Sequence, residues 1–309
     1  MLRRLLLSAS RSERMQGVAT GTRFTRAIVD RFVAGEHVSD AVGVAADIVA
    51  SGRVATIDRL GEAVTDSQQA AAARDAYLEL LDALTANGLT EGCEVSLKLS
   101  SVGQLLADDG EETAFRHAMA ICERAQEYGT TVTLDMEDHT TTDSTLSILE
   151  RLRGHVPSVG VAVQAYLYRT ESDCENLAVE GSRVRLCKGA YDESESVAYQ
   201  SGKEIDLSFV RCLKTLMREE SYPMVASHDP RILEIAQALA IHNDRPKGSY
   251  ELQMLLGVRP EEQQRLADEG ERVRVYIPYG EDWYEYMVRR MAEKPGNLGL
   301  FLKSMTSKK

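Results

Sequence analysis

Eight short apolar runs, each set apart from the next by a longer stretch, put the tightest limit on how this chain can fold. They are 54–58 (VATID), 94–100 (EVSLKLS), 131–137 (TVTLDME), 159–166 (VGVAVQAY), 183–188 (RVRLCK), 223–228 (PMVASH), 250–255 (YELQML) and 273–277 (VRVYI). Between them, 67–86, 112–128, 143–153, 203–220, 230–241 and 260–269 carry apolar residues at helical spacing. Strands that alternate with helices build right-handed βα units around a parallel sheet. Eight units within about 225 residues predict an α/β fold, a (βα)8 TIM-type barrel, rather than an open doubly wound sheet. No G-x-G-x-x-G follows any strand and no G-x-x-x-x-G-K-[ST] occurs, so neither a dinucleotide fingerprint nor a P-loop is present.

Ahead of the first run, residues 16–50 read as helical, with Phe24, Ile28, Phe32, Val42, Ala46 and Val49 at helical spacing. The chain is therefore divided into an N-terminal helical segment, 1–52, and a barrel, 53–309. The basic first fifteen residues lack the long apolar core and small-residue cleavage site of a secretory signal, so export is not expected. No uncharged apolar run reaches about 18 residues, which leaves no membrane-spanning helix to expect. A net charge of −12 argues against nucleic acid as a partner. Five scattered cysteines without a C-x-x-C pair suit neither a disulfide framework nor a thiolate zinc site, and point to a reducing cytoplasm.

Parity along the strands separates two faces. Val95, Leu97 and Leu99 alternate with Ser96, Lys98 and Ser100; Val132, Leu134 and Met136 alternate with Thr133, Asp135 and Glu137. Val161, Val163 and Ala165 alternate with Gln164 and Tyr166, and Val184 and Leu186 flank Arg185. In a barrel the apolar parity packs beneath the helices and the polar parity points inward. Lys98, Asp135, Gln164, Arg185, Lys188, His228, Glu251 and Tyr276 are expected near the C-terminal ends of their strands, where barrel enzymes hold their chemistry. So much unpaired charge would be costly to bury, which favours a ligand site over a structural interior. After Pro278, the residues Tyr286, Arg289, Arg290 and Glu293 share one face of a predicted helix. An arginine pair there suits a small carboxylate, since a guanidinium offers a bidentate fork.

The segments VSLKLS, LDMEDH, VAVQAYLYR, VRLCKGAYDE, ASHD, YELQMLLGV and VYIPYGEDWYEYMVRRMAEKPGN resemble, in order, the barrel-strand motifs of the proline dehydrogenase family. The resemblance runs from about residue 94 to 297 and is most specific in KGAY and YxxRRxxE. It implies a distorted (βα)8 barrel that binds FAD and oxidises L-proline to Δ1-pyrroline-5-carboxylate. On the matching motifs, Asp135 and Arg185 would form the active centre, and Lys98, Arg289 and Arg290 would bind the proline carboxylate. Glu293 would hold one of the arginines. Tyr191, Leu255, Tyr276 and Tyr286 would wall the pyrrolidine ring. Met136, Gln164, Lys188, Gly189, Ala190, Ser227 and His228 would contact FAD, with Gly189 and Ala190 small so that the backbone can approach the cofactor. Ser227 stands where many relatives carry threonine, which keeps the hydroxyl.

The family also implies a membrane-borne quinone as electron acceptor, and hence peripheral membrane contact of a cytoplasmic protein. Its bifunctional relatives carry an aldehyde dehydrogenase module for which 309 residues leave no room, so a separate pyrroline-5-carboxylate dehydrogenase is expected. The alternative enzyme reading is a Schiff-base, aldolase-like barrel using Lys98 or Lys188. A metal hydrolase built on Asp138, His139, His228 and Asp229 is weaker, because no H-x-H or H-E-x-x-H spacing appears and such pairs are more often caps. No metal is expected. An inactive barrel kept for binding would have no reason to retain the charged rim.

Overall fold

Strand β1 (Val54–Arg59) pairs in parallel with both β2 (Cys93–Leu97) and β8 (Val273–Tyr279), and this double pairing closes the sheet. Round the barrel follow β3 (Val132–Leu134), β4 (Gly160–Gln164), β5 (Arg183–Cys187), β6 (Tyr222–Ala226) and β7 (Glu251–Leu255), in sequence order. The structure is a computed structural model that describes residues 29–287 apart from 62, 219 and 285. Residues 1–28 and 288–309, with Phe24, Ile28, Arg289, Arg290 and Glu293 among them, lie outside the described residues.

The connecting helices are α2 (Ser67–Ala86), α3 (Gly110–Glu127), α4 (Thr142–Arg153), α5 (Thr170–Leu177), α6 (Gly202–Arg218), α7 (Pro230–His242) and α8 (Pro260–Asp268), and α1 (Val38–Ala50) precedes β1. Local chemistry sets several starts. Asp66 accepts a hydrogen bond from the Gln69 amide at 2.9 Å to cap α2, and Asp229 caps α7 ahead of Pro230 at its first position. Helix α5 was not foreseen, because eight residues carry too little periodicity to stand out. Strands β2 and β3 are shorter than their apolar runs. After Leu97 the chain turns into a 3₁₀ helix, Leu99–Val102, and Asp135 lies one residue past β3.

The predicted parity holds. Val95, Leu97, Leu134, Val161, Val184 and Leu186 are buried between sheet and helices, with Leu80, Ile121, Leu149 and Phe209. Helix α1 adds Ala41, Ala45 and Ile48 to the same core and packs against β1 and β8. It thereby covers the wall where the helix after the last strand of a regular barrel would lie. The segment following β8 instead packs Trp283, Tyr284, Tyr286 and Met287 against Val29, Val33 and Leu60, at the C-terminal end of β1. The described residues after β8 therefore lie at the mouth.

The floor of the barrel is ionic. Glu94 receives hydrogen bonds from Thr56 (2.7 Å), Thr131 (3.0 Å), Thr133 (3.3 Å), Arg183 (2.7 Å) and Arg185 (3.2 Å). Glu251 takes Arg274 Nε at 2.6 Å and Nη2 at 3.1 Å, and Arg274 Nη1 donates to the Ala55 carbonyl at 2.7 Å. Burial alone would raise the Glu94 carboxyl, but Arg274, Arg183 and Arg185 overcome it and hold it well below the usual range. Glu251 is likewise lowered, Arg274 outweighing its burial.

Removing one member leaves the others charged in an apolar shell, so Arg274→Met should lower the unfolding free energy in urea by about 3–5 kcal/mol. The double variant Arg274→Met/Glu251→Gln should recover part of the loss. Both carboxyls titrate below their unfolded values, so their stabilisation is complete above the ordinary glutamate range and is lost as pH falls through it. The urea midpoint of the parent protein should therefore drop steeply below about pH 4.3, and Glu94→Gln should flatten that slope. A slope unchanged by Glu94→Gln would contradict the ionic floor.

Candidate active site

Because inward side chains recur every second residue, the barrel interior is layered. Above the floor, the next inward positions on β2, β5 and β7 are Ser96, Arg185 and Gln253, and the mouth follows with Lys98, Asp135, Tyr276 and Asp58. Arg185 sits at the middle of β5 and is 5% exposed. Its Nε donates to Gln253 Oε1 at 2.8 Å, and its Nη1 donates to Ser96 Oγ at 2.8 Å and Asp135 Oδ1 at 2.6 Å. Its Nη2 reaches Glu94 Oε1 at 3.2 Å, and the guanidinium carbon lies 5.3 Å from the centre of the Tyr276 ring. Burial works against this charge, but Asp135 and Glu94 outweigh it and raise the Arg185 pKa.

Asp135 is the hub. One carboxylate oxygen takes Arg185 and the Ser96 hydroxyl (2.7 Å), and the other takes the Tyr276 hydroxyl at 2.6 Å. Burial, with Asp135 and Asp58 adding to it, drives the Tyr276 phenol well above its ordinary pKa, so it is a donor at any working pH. Beside this array Lys98 Nζ lies 2.6 and 2.7 Å from the two oxygens of Asp58. Asp58 is raised by burial, which outweighs the Lys98 charge opposing it. Glu137, which accepts from the Ser100 hydroxyl at 2.6 Å and amide at 3.2 Å, is raised for the same reason.

A second group of predicted residues lines the ends of β4, β5 and β6. Gln164 donates to the Glu137 carbonyl at 2.7 Å. Lys188, half-exposed, contacts Asp206 at 2.5 Å and Asp229 at 3.5 Å. The Ser227 hydroxyl accepts from the Asp229 amide at 3.2 Å, and His228 Nε2 accepts from the Leu255 amide at 2.9 Å. Ala190 and Tyr191 follow in the half-buried turn after β5, and Met136 is buried in the main core. Tyr276 and Leu255 lie at the mouth, while Tyr286 is packed in the cluster with Leu60 and Trp283.

One expectation needs correction. Glu251 is the first residue of β7, at the floor rather than the rim, where Arg274 binds it. Gly189 has φ +110°, and a Cβ there would lie 2.3 Å from the Tyr166 ring. The position demands glycine for its backbone conformation and for Tyr166, so its smallness is accounted for without a cofactor. The side chains that could have formed a metal hydrolase site are otherwise engaged. Asp138 accepts from the Thr140 amide at 2.9 Å, Asp229 caps α7, and His139 pairs with Glu193. Among the described residues no group of three such side chains could hold a metal ion. Both lysines weighed for Schiff-base chemistry are in ion pairs, Lys98 with Asp58 and Lys188 with Asp206.

Asp58, Glu94, Gln253 and Arg274 were missed as members of this array. Parity would have found them: Asp58 follows Thr56 by two residues, and Gln253 follows Glu251 by two. Glu94 and Arg274 likewise share the parity of Ser96 and Tyr276.

The family model for proline dehydrogenase matches residues 42–301. The chain belongs to the proline dehydrogenase family. Proline dehydrogenase 1 of Bacillus subtilis is 37% identical over 308 residues, covering 100% of both chains. Proline dehydrogenase of Deinococcus radiodurans is 37% identical over 280 residues, 90% of each. The bifunctional protein PutA of Escherichia coli is 28% identical over 88% of this chain and 24% of its own length. Among solved structures, proline utilization A of Bdellovibrio bacteriovorus, inactivated by N-propargylglycine, superposes with a TM-score of 0.82 at 25% identity. That match covers 92% of this chain and 34% of the other, so the chain spans about a third of that protein's length. In this family member the barrel expected from the sequence carries its charged array at the mouth.

The Asp58 clasp yields a direct test. Asp58→Asn removes the anion from a Lys98 side chain that is only 13% exposed, and should lower the unfolding free energy by about 2–3 kcal/mol. Adding Lys98→Met should restore most of it. An unchanged urea midpoint for Asp58→Asn would remove the clasp from the description.

Proposed function

We propose that the protein oxidises L-proline to Δ1-pyrroline-5-carboxylate with FAD as the immediate acceptor. The observation that carries this reading beyond family membership is the array of Arg185, Asp135 and Tyr276 beside the Lys98–Asp58 pair, gathered toward the mouth of the barrel. Lys98, with Arg289 and Arg290 from the segment after β8, would receive the substrate carboxylate. Tyr276, Leu255, Tyr191 and Tyr286 would bound its ring. Asp135 holds Arg185 and Tyr276 in one register, so neither can swing away when the ring enters. Arg185 keeps a positive charge at the mouth where negative charge develops. The substrate gives up a hydride from the ring methylene next to nitrogen and a proton from nitrogen, and a C=N bond forms between them.

The donor set at the ends of β4–β6 fits FAD. A dinucleotide needs cations and donors for its diphosphate and a positive group near its ring, and this rim offers Lys188, the Ser227 hydroxyl and Arg259, with Arg185 beneath. Met136, Gln164, Lys188, Gly189, Ala190, Ser227 and His228 would hold it without a covalent bond. Bound there, FAD supplies the two-electron acceptor that the amino-acid side chains lack. A membrane-borne quinone would reoxidise it, with the protein cytoplasmic and in peripheral contact with the bilayer. Among the described residues no helix is long and apolar enough to cross a membrane. A separate pyrroline-5-carboxylate dehydrogenase would take the product onward.

The purified protein should be yellow, and L-proline should bleach it without oxygen. Bleaching should quicken as pH rises and the substrate amine loses its proton. A synthetic quinone should restore the colour and NAD should not. Bleaching by NADH but not by proline, or a protein that cannot be loaded with FAD, would overturn the proposal.

A further inference from the structure

Each nitrogen of the Arg185 guanidinium has its own partner. Ser96 and Asp135 hold Nη1, Glu94 holds Nη2, and among the described residues Gln253 is the partner of Nε. Gln253 is itself 3% exposed, and its Nε2 donates to Glu251 Oε1 at 2.6 Å, the same oxygen that takes Arg274 Nε. The amide therefore stands between a carboxylate, which can only accept, and a guanidinium, which can only donate. Turned over, it would set oxygen against oxygen and N–H against N–H, so one orientation alone is compatible with both neighbours. Arg274, Glu251, Gln253, Arg185, Asp135 and Tyr276 are thus joined by unbroken hydrogen bonds from floor to mouth, with Glu251 and Asp135 accepting from both neighbours.

The geometry points to Gln253 as a positioning residue for the reaction, one that fixes the plane of the Arg185 guanidinium by relaying the hold of Glu251. The contacts at the Nη1 and Nη2 atoms leave the guanidinium a hinge about the line through those two atoms, and the Nε contact closes it. A group displaced by about 1 Å can slow an oriented reaction by about 100-fold, so the third contact is where orientation is decided. Gln253 touches neither substrate nor cofactor in this account. Its action passes through Arg185, and the inference rests on the proline–FAD reading above.

Two variants of the FAD-loaded protein test it. Gln253→Met keeps the volume and removes both hydrogen bonds. It should slow flavin reduction at saturating proline by about 10- to 30-fold, leave half-saturation by proline within about threefold, and move the flavin midpoint potential to more negative values. Gln253→Glu can reproduce both bonds when protonated, its O–H donating to Glu251 and its C=O accepting from Arg185. It should reduce nearly as fast as the parent at low pH and fall away as pH rises, through an ionisation the parent lacks. A merely structural role would lower the melting temperature and flavin content but leave the potential unmoved. If Gln253→Met cannot be purified folded, the pH profile of Gln253→Glu decides. Parent-like reduction rate and potential in Gln253→Met, or a parent-like pH profile in Gln253→Glu, would overturn the inference. If proline fails to bleach the parent protein, the reading beneath it falls and takes this one with it.

Discussion

The ion pair between Arg185 and Asp135, 2.6 Å long inside the barrel, is the constraint on which the rest of the arrangement depends. A guanidinium buried in a parallel barrel is tolerable only with its donors satisfied. Three strands supply the partners: Glu94 and Ser96 from β2, Gln253 from β7, and Asp135 from just beyond β3, all meeting Arg185 on β5. Asp135 must then also satisfy Tyr276 on β8. The barrel closes round a charge rather than a stack of aliphatic layers. Its outer wall, built from valine, leucine and isoleucine beneath the helices, supplies the apolar burial that the interior gives up.

This division explains how a stable fold can hold a reactive mouth. At the floor Glu94, Glu251 and Arg274 are buried and paired with one another or with Arg183, so they stay fixed while the mouth meets ligand. At the mouth Lys98 is 13% exposed, and Lys188 on the neighbouring rim is 37% exposed. Rigid pairs therefore lie beneath the groups that a ligand can reach, which is how an oriented site is held on strands rather than loops.

The barrel was legible because a period of two within each run and a helical period between runs both survive in the sequence. Polar parity on β2 and β3 placed Lys98 and Asp135 inward, and Arg185 followed from Val184 and Leu186 on either side. Partnership was not legible. Nothing local in VATID shows that Asp58 meets Lys98, 40 residues on, and nothing in YELQML shows that Gln253 reaches Arg185, 68 residues earlier. Such pairs are set by barrel closure and shear, which fix heights between strands. Glu251 was misplaced for the same reason, since parity gives the face of a strand and not the height along the barrel. The short α5 and the unwinding after Leu97 were missed because tertiary packing, not periodicity, decides them.

The most direct test is a double-mutant cycle on Arg185 and Asp135, using Arg185→Met, Asp135→Asn and the double variant in urea unfolding. If the pair organises the interior, each single change strands a buried partner, and the double variant should be little worse than either alone. The expected coupling is about 2–3 kcal/mol. Losses that add to within about 0.5 kcal/mol would show two independent side chains, and the account of the site built on their union would be wrong.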